Sequence, residues 1–175
     1  MAELELMKPT SEFASQIVEY RQEFLDAGDS MDGTGPLRRM ENPEEYVQAC
    51  AEYENPKTVP DHLVEATQFM LVRKNDNKLV GMLQVRHRFN EYLEKYAGHI
   101  GYSVRPSERR KGYAKEILRM ALPYCQEIGL DRVLITCIVG NVGSEKTILA
   151  NGGVYESTVY EPNDNVNLKR FWITL

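Results

Sequence analysis

Residues 103–118, SVRPSERRKGYAKEIL, decide how the fold of this chain is predicted. An apolar, strand-like run ends at a proline, a basic cluster follows, and a glycine then precedes a helix-forming segment. The whole chain of 175 residues has a formal net charge of -5 at pH 7. Positive charge concentrated at the entrance to one helix therefore calls for a local anionic partner.

The basic cluster has the features of a phosphate-binding helix start. A helix N-terminus offers backbone N–H groups without partners inside the helix, together with the positive end of the helix dipole. Gly112 lets a ligand approach the backbone, Ala114 keeps the next position small, and Arg109, Arg110 and Lys111 add positive charge. Cations at this end oppose the dipole, so a merely solvated helix end explains the pattern less well than a bound anion does.

The order of apolar patterns predicts a mixed α/β fold in a single domain, residues 1–175. Residues 131–139 are apolar on both faces, as in a central strand covered by helices. Residues 28–42 form a polar loop that is long enough to be functional, and Pro123 is expected to kink its helix. The predicted elements are strands at 3–7, 66–73, 78–88, 98–104, 131–139, 154–160 and 168–175, helices at 11–27, 43–53, 112–128 and 142–151, and a helical turn at 91–96.

Composition and charge argue against several classes of protein. The sequence lacks a run of about 18 apolar residues and the features of a signal peptide, so we expect a cytoplasmic protein without a membrane partner. A pI near 5.3 argues against general binding of nucleic acid. Cys50, Cys125 and Cys137 are widely spaced in apolar contexts, which favours buried reduced thiols over disulfides or a metal site.

The basic stretch also resembles a known family. Arg109, Gly112 and Ala114 in RRKGYA, with IGYSVRPSER before and NVGSEKTILANGGVY after, resemble the central motif of the GNAT N-acetyltransferases, which bind acetyl-CoA. The resemblance is strongest over residues 78–155. It implies a GNAT-like α/β fold with a mixed, mostly antiparallel central sheet flanked by helices. In that fold a parallel pair of strands, here 98–104 and 133–139, splays apart to form a wedge for CoA.

The resemblance implies which residues hold the cofactor. Backbone amides from Arg110 to Ala114 would hold the diphosphate of CoA, and Asn141 would face its pantetheine arm. Amides of residues 102–104 would pair with that arm and stabilise the oxyanion of the acetyl group. The complete expected set is Tyr102, Ser103, Val104, Arg109, Arg110, Lys111, Gly112, Tyr113, Ala114, Asn141 and Ser144.

Direct transfer needs a neutral amine, so a base must take a proton from the acceptor ammonium. Family members often carry a Glu on the first splayed strand; here Gly98 and His99 occupy that stretch, which makes His99 the candidate base. A structural histidine is an equal alternative. Many members also place a Tyr on the Asn-led helix to protonate the departing CoA thiolate, but Ile148 stands at that spacing. Tyr155, Ser144 or solvent can take this role instead.

The acceptor is the least determined feature of the sequence. Arg86, His87 and Asn90 follow a strand beside the expected site, and Asp32 in the loop can recognise a cationic amine; solvated charges at exposed positions are the alternative. We predict an enzyme that transfers acetyl from acetyl-CoA to the primary amine of a small molecule or peptide, as a monomer or homodimer. The open alternatives are a catalytically silent acyl-CoA sensor and an N-acetyltransferase of proteins or peptides.

Overall fold

Two antiparallel sheets form the framework of the protein in this computed structural model, which describes residues 2–175. The strands are β1 (Leu4–Met7), β2 (Ala66–Arg73), β3 (Lys78–Arg86), β4 (Ile100–Val104), β5 (Arg132–Ile138), β6 (Val154–Glu161) and β7 (Val166–Thr174). The helices are α1 (Ala14–Ala27), α2 (Pro43–Glu54), α3 (Tyr113–Glu127) and α4 (Val142–Ala150). One sheet has the order β1-β2-β3-β4 and the other β5-β7-β6. This arrangement confirms the predicted mixed α/β fold.

Local sequence signals set most helix and strand ends. The side chain of Asn42 accepts hydrogen bonds from the backbone N–H groups of Glu44 and Glu45, so it caps α2 as its position before Pro43 suggests. Strands β2 and β3 form the expected antiparallel hairpin, with Asn77 in the left-handed conformation at its turn. Helix α3 continues through Pro123 to Glu127.

Helices cover both faces of the four-stranded sheet, because alternate strand residues point to opposite sides. On one face, α1 and α2 pack with one set of strand side chains, including Met70 and Met82. On the other face, α3 packs with the intervening set, including Leu71 and Leu83. The loop at 28–42 is less polar in its packing than the sequence suggests, since the side chain of Leu37 is buried within the first of these cores.

The two sheets meet at one point and separate beyond it. The backbone N–H of His99 donates to the carbonyl of Leu134 at 2.8 Å, and Gly98, with φ of 69°, turns the chain into β4 directly before this contact. Strands β4 and β5 both start beside this contact, and the later residues of both strands line one cavity. The two strands therefore diverge from this contact and leave a wedge between them, as the sequence resemblance implies.

The described part of the chain contains no helix that is both long and apolar enough to cross a membrane. The three cysteines, Cys50, Cys125 and Cys137, are buried free thiols, as predicted. No cluster of three or more potential metal ligands occurs among residues 2–175.

Candidate active site

A cavity of about 550 Å³ lies where the end of β4, the start of α3 and the start of α4 converge. We call it the cofactor cavity. All of the residues expected to bind the cofactor line it except Lys111, and Asp32 lines it as well. The remaining wall comes from the end of α1 and the loop that follows it. Its lining residues are Phe24, Asp29, Ser30, Asp32, Tyr102, Ser103, Val104, Arg109, Arg110, Gly112, Tyr113, Ala114, Lys115, Asn141, Gly143, Ser144 and Thr147.

Strand β4 presents free backbone N–H groups to this cavity. The backbone N–H of Arg105 donates to the carbonyl of Val80 at 2.9 Å, and the register of β3 with β4 continues this pairing at every second residue. In an antiparallel pair, the intervening residues direct their N–H groups to the opposite side. The amides of Tyr102 and Val104 therefore point away from β3 and into the wedge.

The N-terminus of α3 is left open to solvent and ligand. Its cap residue Gly112 has a φ of 84°, and no side chain accepts a hydrogen bond from the first turn. Two other helices differ, because the side chain of Asn42 caps α2 and that of Asn141 caps α4. Arg110 also has a positive φ, 62°, so the loop before α3 turns sharply. Such a loop gathers backbone N–H groups into a concave anion site.

The cations of the basic cluster have separate partners. Arg109 forms an ion pair with Asp29 at 2.7 Å and lies 5.6 Å from the ring centroid of Phe24, so it ties the loop before α3 to the end of α1. Lys111 does not line the cofactor cavity, because its side chain pairs with the buried carboxylate of Glu108 at 2.7 Å. Arg110 is exposed and lines the cavity. Arg110 is thus the cation of the three that has no ion pair within residues 2–175.

Glu108 anchors the loop before α3 to the β2–β3 hairpin. Its carboxylate contacts Arg73 at 2.8 Å and Lys78 at 2.9 Å in addition to Lys111. Burial alone raises the pKa of this carboxyl, but the hydrogen bonds from the three cations outweigh burial and lower the pKa to about 2. Sequence reasoning missed this residue, because a Glu beside two Arg residues looks like an ordinary exposed charge.

A second cavity of about 250 Å³ adjoins the first. We call it the acceptor cavity. It lies between the diverging strands β4 and β5 and shares five lining residues with the cofactor cavity: Ser30, Asp32, Tyr102, Asn141 and Ser144. Its far wall is formed by Arg86, by Tyr92 and Tyr96 of the helical turn before β4, and by the β6–β7 hairpin. These five residues therefore form a boundary that the two cavities share.

Two hydroxyl groups meet at the boundary between the cavities. The phenol of Tyr102, on β4, and the hydroxyl of Ser144, in the first turn of α4, lie 2.8 Å apart and share a hydrogen bond. Burial raises the pKa of Tyr102 to about 12, although the Ser144 contact lowers it in part. Both groups are consequently neutral and able to donate a proton or a hydrogen bond at neutral pH.

The sequence profile of the acetyltransferase (GNAT) family matches residues 36–150, more than half of the chain. The chain belongs to the GNAT family. Family membership identifies it as an acyltransferase, which confirms the enzyme class predicted from the sequence. A comparison with curated proteins gives no match.

Solved GNAT structures share the whole architecture. The ribosomal-protein-S5-alanine acetyltransferase of Vibrio fischeri is 20% identical, with a TM-score of 0.71 over 98% of this chain and 91% of that one. RimJ of Mycobacterium smegmatis, solved with CoA-disulfide, is 18% identical, with a TM-score of 0.71 over 98% and 81%. The microcin C7 self-immunity acetyltransferase MccE, solved with acetyl-CoA and AMP, is 19% identical, with a TM-score of 0.69 over 99% and 93%. At these identities the likeness shows the GNAT fold.

His99, the candidate base of this GNAT domain, lines neither cavity. Its imidazole is buried, stacks on Phe89 with ring centroids 4.0 Å apart, and accepts a hydrogen bond at Nδ1 from the backbone N–H of Leu134. Burial, with the nearby charges of Arg86 and Arg132, lowers its pKa to about 4. This geometry supports the alternative left open by the sequence, a structural histidine.

The structure also distinguishes among the candidates for protonating the leaving group, because only some of them lie at the cavities. Ile148 is fully buried, so the position where many GNAT members carry a Tyr belongs to the core here. Tyr155 is exposed, its hydroxyl contacts Thr158 at 2.8 Å, and it lines neither cavity. Ser144 remains at the site, in contact with Tyr102.

Of the residues expected to contact the acceptor, the structure brings two to the site. Arg86 and Asp32 line the acceptor cavity. His87 does not line it, because its Nε2 contacts the hydroxyl of Thr67 at 2.8 Å elsewhere in the domain. Asn90 does not line it either, since its side chain accepts a hydrogen bond from the backbone N–H of Leu93 and so starts the helical turn.

Glu161 is a site residue that sequence reasoning missed. It ends β6, is 1% exposed, and lines the acceptor cavity. Its two carboxylate oxygens accept hydrogen bonds from the backbone N–H groups of Asn163 and Asp164 at 2.9 and 2.8 Å. The sequence around it, YEPNDN, reads as an exposed hairpin turn and gives no sign of an inward carboxylate. Tyr92 and Tyr96 were also missed, although their spacing of four residues in a helical turn was a usable signal.

Proposed function

We propose that this GNAT domain transfers an acetyl group from acetyl-CoA to a primary amine by direct attack of the amine on the thioester. The observation that carries the proposal is the boundary that the two cavities share at Tyr102 and Ser144, beside free strand amides and an uncapped helix start. One cavity has the parts that bind a diphosphate and its extended arm, and the other can hold the attacking amine.

The cofactor would lie along the elements that line the first cavity. The N-terminus of α3, with Gly112 and Arg110, supplies unpaired amides and positive charge for the diphosphate. The pantetheine arm, an extended chain with amide groups, can add to the open edge of β4 as a further strand does. The amides of Tyr102 and Val104 would then donate to that arm and to the oxyanion that forms on the acetyl carbonyl.

The acceptor ammonium loses two protons in the reaction, one before attack and one after it. The neutral amine nitrogen attacks the carbonyl carbon, the nitrogen of the tetrahedral adduct gives its extra proton to water, the carbon–sulfur bond breaks, and CoA leaves as a thiolate. Before attack, the ammonium must lose a proton, and Glu161 is the buried carboxylate in the acceptor cavity that can receive it, directly or through water. This proposal moves the role of base from His99 to Glu161.

The departing thiolate would meet the Tyr102–Ser144 pair. The phenol of Tyr102 has a pKa of about 12 and is therefore a much weaker acid than a thiol, so it does not transfer its proton completely to the CoA thiolate. It stabilises the negative sulfur by donating a hydrogen bond, and solvent completes protonation. A GNAT domain with Ile148 in the core can therefore turn over without the usual helix tyrosine.

The proposal is tested by measuring release of free CoA from acetyl-CoA during incubation with a panel of primary amines, peptides and proteins. Accumulation of CoA that depends on one acceptor, together with the acetylated product, would support it. Tight binding of acetyl-CoA without release under any acceptor would favour the acyl-CoA sensor, the alternative suggested by Ile148. Release with peptides or proteins alone would favour a macromolecular acceptor.

A further inference from the structure

The interior of the acceptor cavity holds one fixed charge of each sign, and neither charge has an ionic partner. Arg86 ends β3, is half-buried, and makes no ion pair within residues 2–175. Glu161, which lines the same cavity, is 1% exposed and likewise makes no ion pair within that range. Buried charges are normally paired, so two that are left unpaired at one cavity point to a ligand that carries both complementary charges.

The contacts of Arg86 leave much of its guanidinium unused. Its Nη1 donates to the carbonyls of Ala97 and Gly98 at 3.3 and 3.4 Å, which are long hydrogen bonds at the limit of the useful range. A guanidinium has five N–H donors in a planar fork that matches a carboxylate. Burial lowers the pKa of Arg86, as expected for a desolvated cation without a carboxylate in contact. Arg86 can therefore bind a carboxylate of the ligand without breaking an existing ion pair.

Glu161 is equally available to a cation. Its hydrogen bonds with Asn163 and Asp164 use one lone pair on each oxygen, and a carboxylate has about four such sites. An ammonium group can take up the remaining ones. Tyr92 lines the same cavity, and burial raises the pKa of its phenol, with Glu161 and Asp164 adding to the rise and Arg86 opposing it.

The rim of the cavity has a different character from the interior. Asp32 and Asp164 line the cavity but are exposed. Exposed charges are screened by solvent and salt, so they steer an incoming cation more than they hold it. The interior pair, Arg86 and Glu161, decides which charged groups fit. A volume of about 250 Å³ lies below the usual range for drug-sized ligands, which indicates a small acceptor.

We propose that the acceptor is a small zwitterionic amino acid, whose carboxylate is bound by Arg86 and whose amine lies between Glu161 and the boundary of the cofactor cavity. This inference rests on the proposed acetyltransferase function and specifies its acceptor. A simple polyamine fits less well, because it carries only positive charge and the half-buried cation of Arg86 in the cavity wall would repel it. A peptide amine fits less well too, because its carboxylate lies at a variable distance from the amine.

The experiment compares acceptors that differ only in the carboxylate. Each L-amino acid is assayed beside its α-carboxamide and its decarboxylated amine, and kcat/KM is obtained from release of free CoA. We expect at least one free amino acid to exceed both of its analogues by about 10- to 100-fold, the effect of a charge-assisted hydrogen bond with a buried Arg. Arg86→Gln should abolish that preference, and Arg86→Lys should retain part of it.

A neighbouring arginine provides the matched control. Arg88 follows two residues later, is exposed, and pairs with Glu65 outside the cavity, so Arg88→Gln should leave the preference unchanged. Thermal unfolding of each variant identifies any loss of folding. The comparison of each amino acid with its carboxamide and its decarboxylated amine uses the wild-type protein alone, so it does not depend on the folding of a variant.

Each outcome decides the inference. Equal or faster turnover of the carboxamides or decarboxylated amines would overturn it while leaving the acetyltransferase function intact. Turnover of peptides or proteins without turnover of any free amino acid would also overturn it. Failure of the protein to bind acetyl-CoA in a direct binding assay would instead remove the proposed function, and the inference with it.

Discussion

His99 and Leu134 hold each other through two hydrogen bonds. The backbone N–H of His99 donates to the carbonyl of Leu134 at 2.8 Å, and the backbone N–H of Leu134 donates to Nδ1 of the His99 imidazole at 2.9 Å. The contact joins the start of β4 to β5, and the acceptor cavity opens directly beyond it. It therefore fixes the point from which the two strands diverge.

Removing the imidazole should destabilise the fold more than it alters the chemistry. We expect His99→Ala to lower the free energy of unfolding by about 1–3 kcal/mol, because the buried N–H of Leu134 loses its acceptor. His99→Asn should recover part of this loss, since its side-chain oxygen can stand where Nδ1 stood. Urea unfolding of the three proteins measures the difference.

The titration of His99 should also make the free energy of unfolding depend on pH, and the same variants test this dependence. Its pKa is about 4 in the folded state and near 6.5 when unperturbed, so its contribution to stability is present above pH 6.5 and is lost as the pH falls through 4. His99→Asn should flatten the pH dependence of stability in that window. A rate profile with an acidic limb that His99→Asn removes would show that His99 acts as the base after all.

Glu108 should govern the stability of the domain in acid. Its pKa is lowered to about 2 from 4.5, so the stabilisation is present above pH 4.5 and is lost as the pH falls through 2. Glu108→Gln should lower the free energy of unfolding at pH 7 by about 1–3 kcal/mol, less than for a fully buried pair, because Lys78 and Lys111 can turn to solvent. It should also reduce the slope of stability against pH between 4.5 and 2.

A surface ion pair on the same side of the molecule serves as the control for Glu108. Glu116 pairs with Arg119 on the exposed side of α3, and such pairs contribute about 0–1 kcal/mol. Glu116→Gln should therefore leave both the stability at pH 7 and its slope in acid nearly unchanged. Equal effects of the two substitutions would refute a special role for Glu108.

The diphosphate site can be tested with two glycines at opposite ends of α3. Gly112 and Gly129 have positive φ angles of 84° and 93°, so leucine at either position meets a similar backbone penalty. Gly112 lines the cofactor cavity, whereas nothing lies within 4 Å of a Cβ at Gly129. Gly112→Leu should raise the Kd for acetyl-CoA by about tenfold or more, an expected loss of at least 1.4 kcal/mol, and Gly129→Leu should leave it unchanged. Calorimetric titration with acetyl-CoA distinguishes the two, and parallel loss of affinity would argue for strain alone.

The hydroxyl pair should affect turnover and not cofactor affinity. We expect Tyr102→Phe and Ser144→Ala each to lower kcat by about tenfold, the effect of losing one hydrogen bond to a charged group in the transition state. The double variant should lose little more than either single one, because the two groups act as a unit. Tyr155→Phe is the control, since its hydroxyl contacts Thr158 outside both cavities. An unchanged kcat in Tyr102→Phe would exclude the proposed contact with sulfur.

The sequence predicted those parts of the site that depend on local chain geometry. Gly112 at a helix start, Asn42 before Pro43, and the turn at Asn77 all lie where their backbone preferences require. The parts that depend on long-range packing were not predictable. Whether His99 faces the wedge or the space beside Phe89 depends on the turn at Gly98, and no pattern in the sequence specifies it.

Charge types alone also failed to separate functional from structural residues. Arg110 and Lys111 are neighbours in a basic run, but only Lys111 forms an ion pair among residues 2–175. Its partner is Glu108, whose carboxylate is also bound by Arg73, 35 residues earlier in the chain. Glu161 looks like part of a polar hairpin until the β6–β7 turn folds over the acceptor cavity. Such pairings join segments that are far apart in the chain, so a single sequence does not reveal them.

The five residues common to the two cavities, Ser30, Asp32, Tyr102, Asn141 and Ser144, have a consequence for inhibition. In the proposed reaction the cofactor arm and the acceptor amine meet at this shared boundary, so one molecule that joins them covalently should occupy both cavities together. Such a bisubstrate compound, CoA linked through its sulfur to the nitrogen of the true acceptor, would lose translational freedom once instead of twice. Its affinity, measured across a series of linked amines, would select the acceptor by binding alone, without any need for turnover.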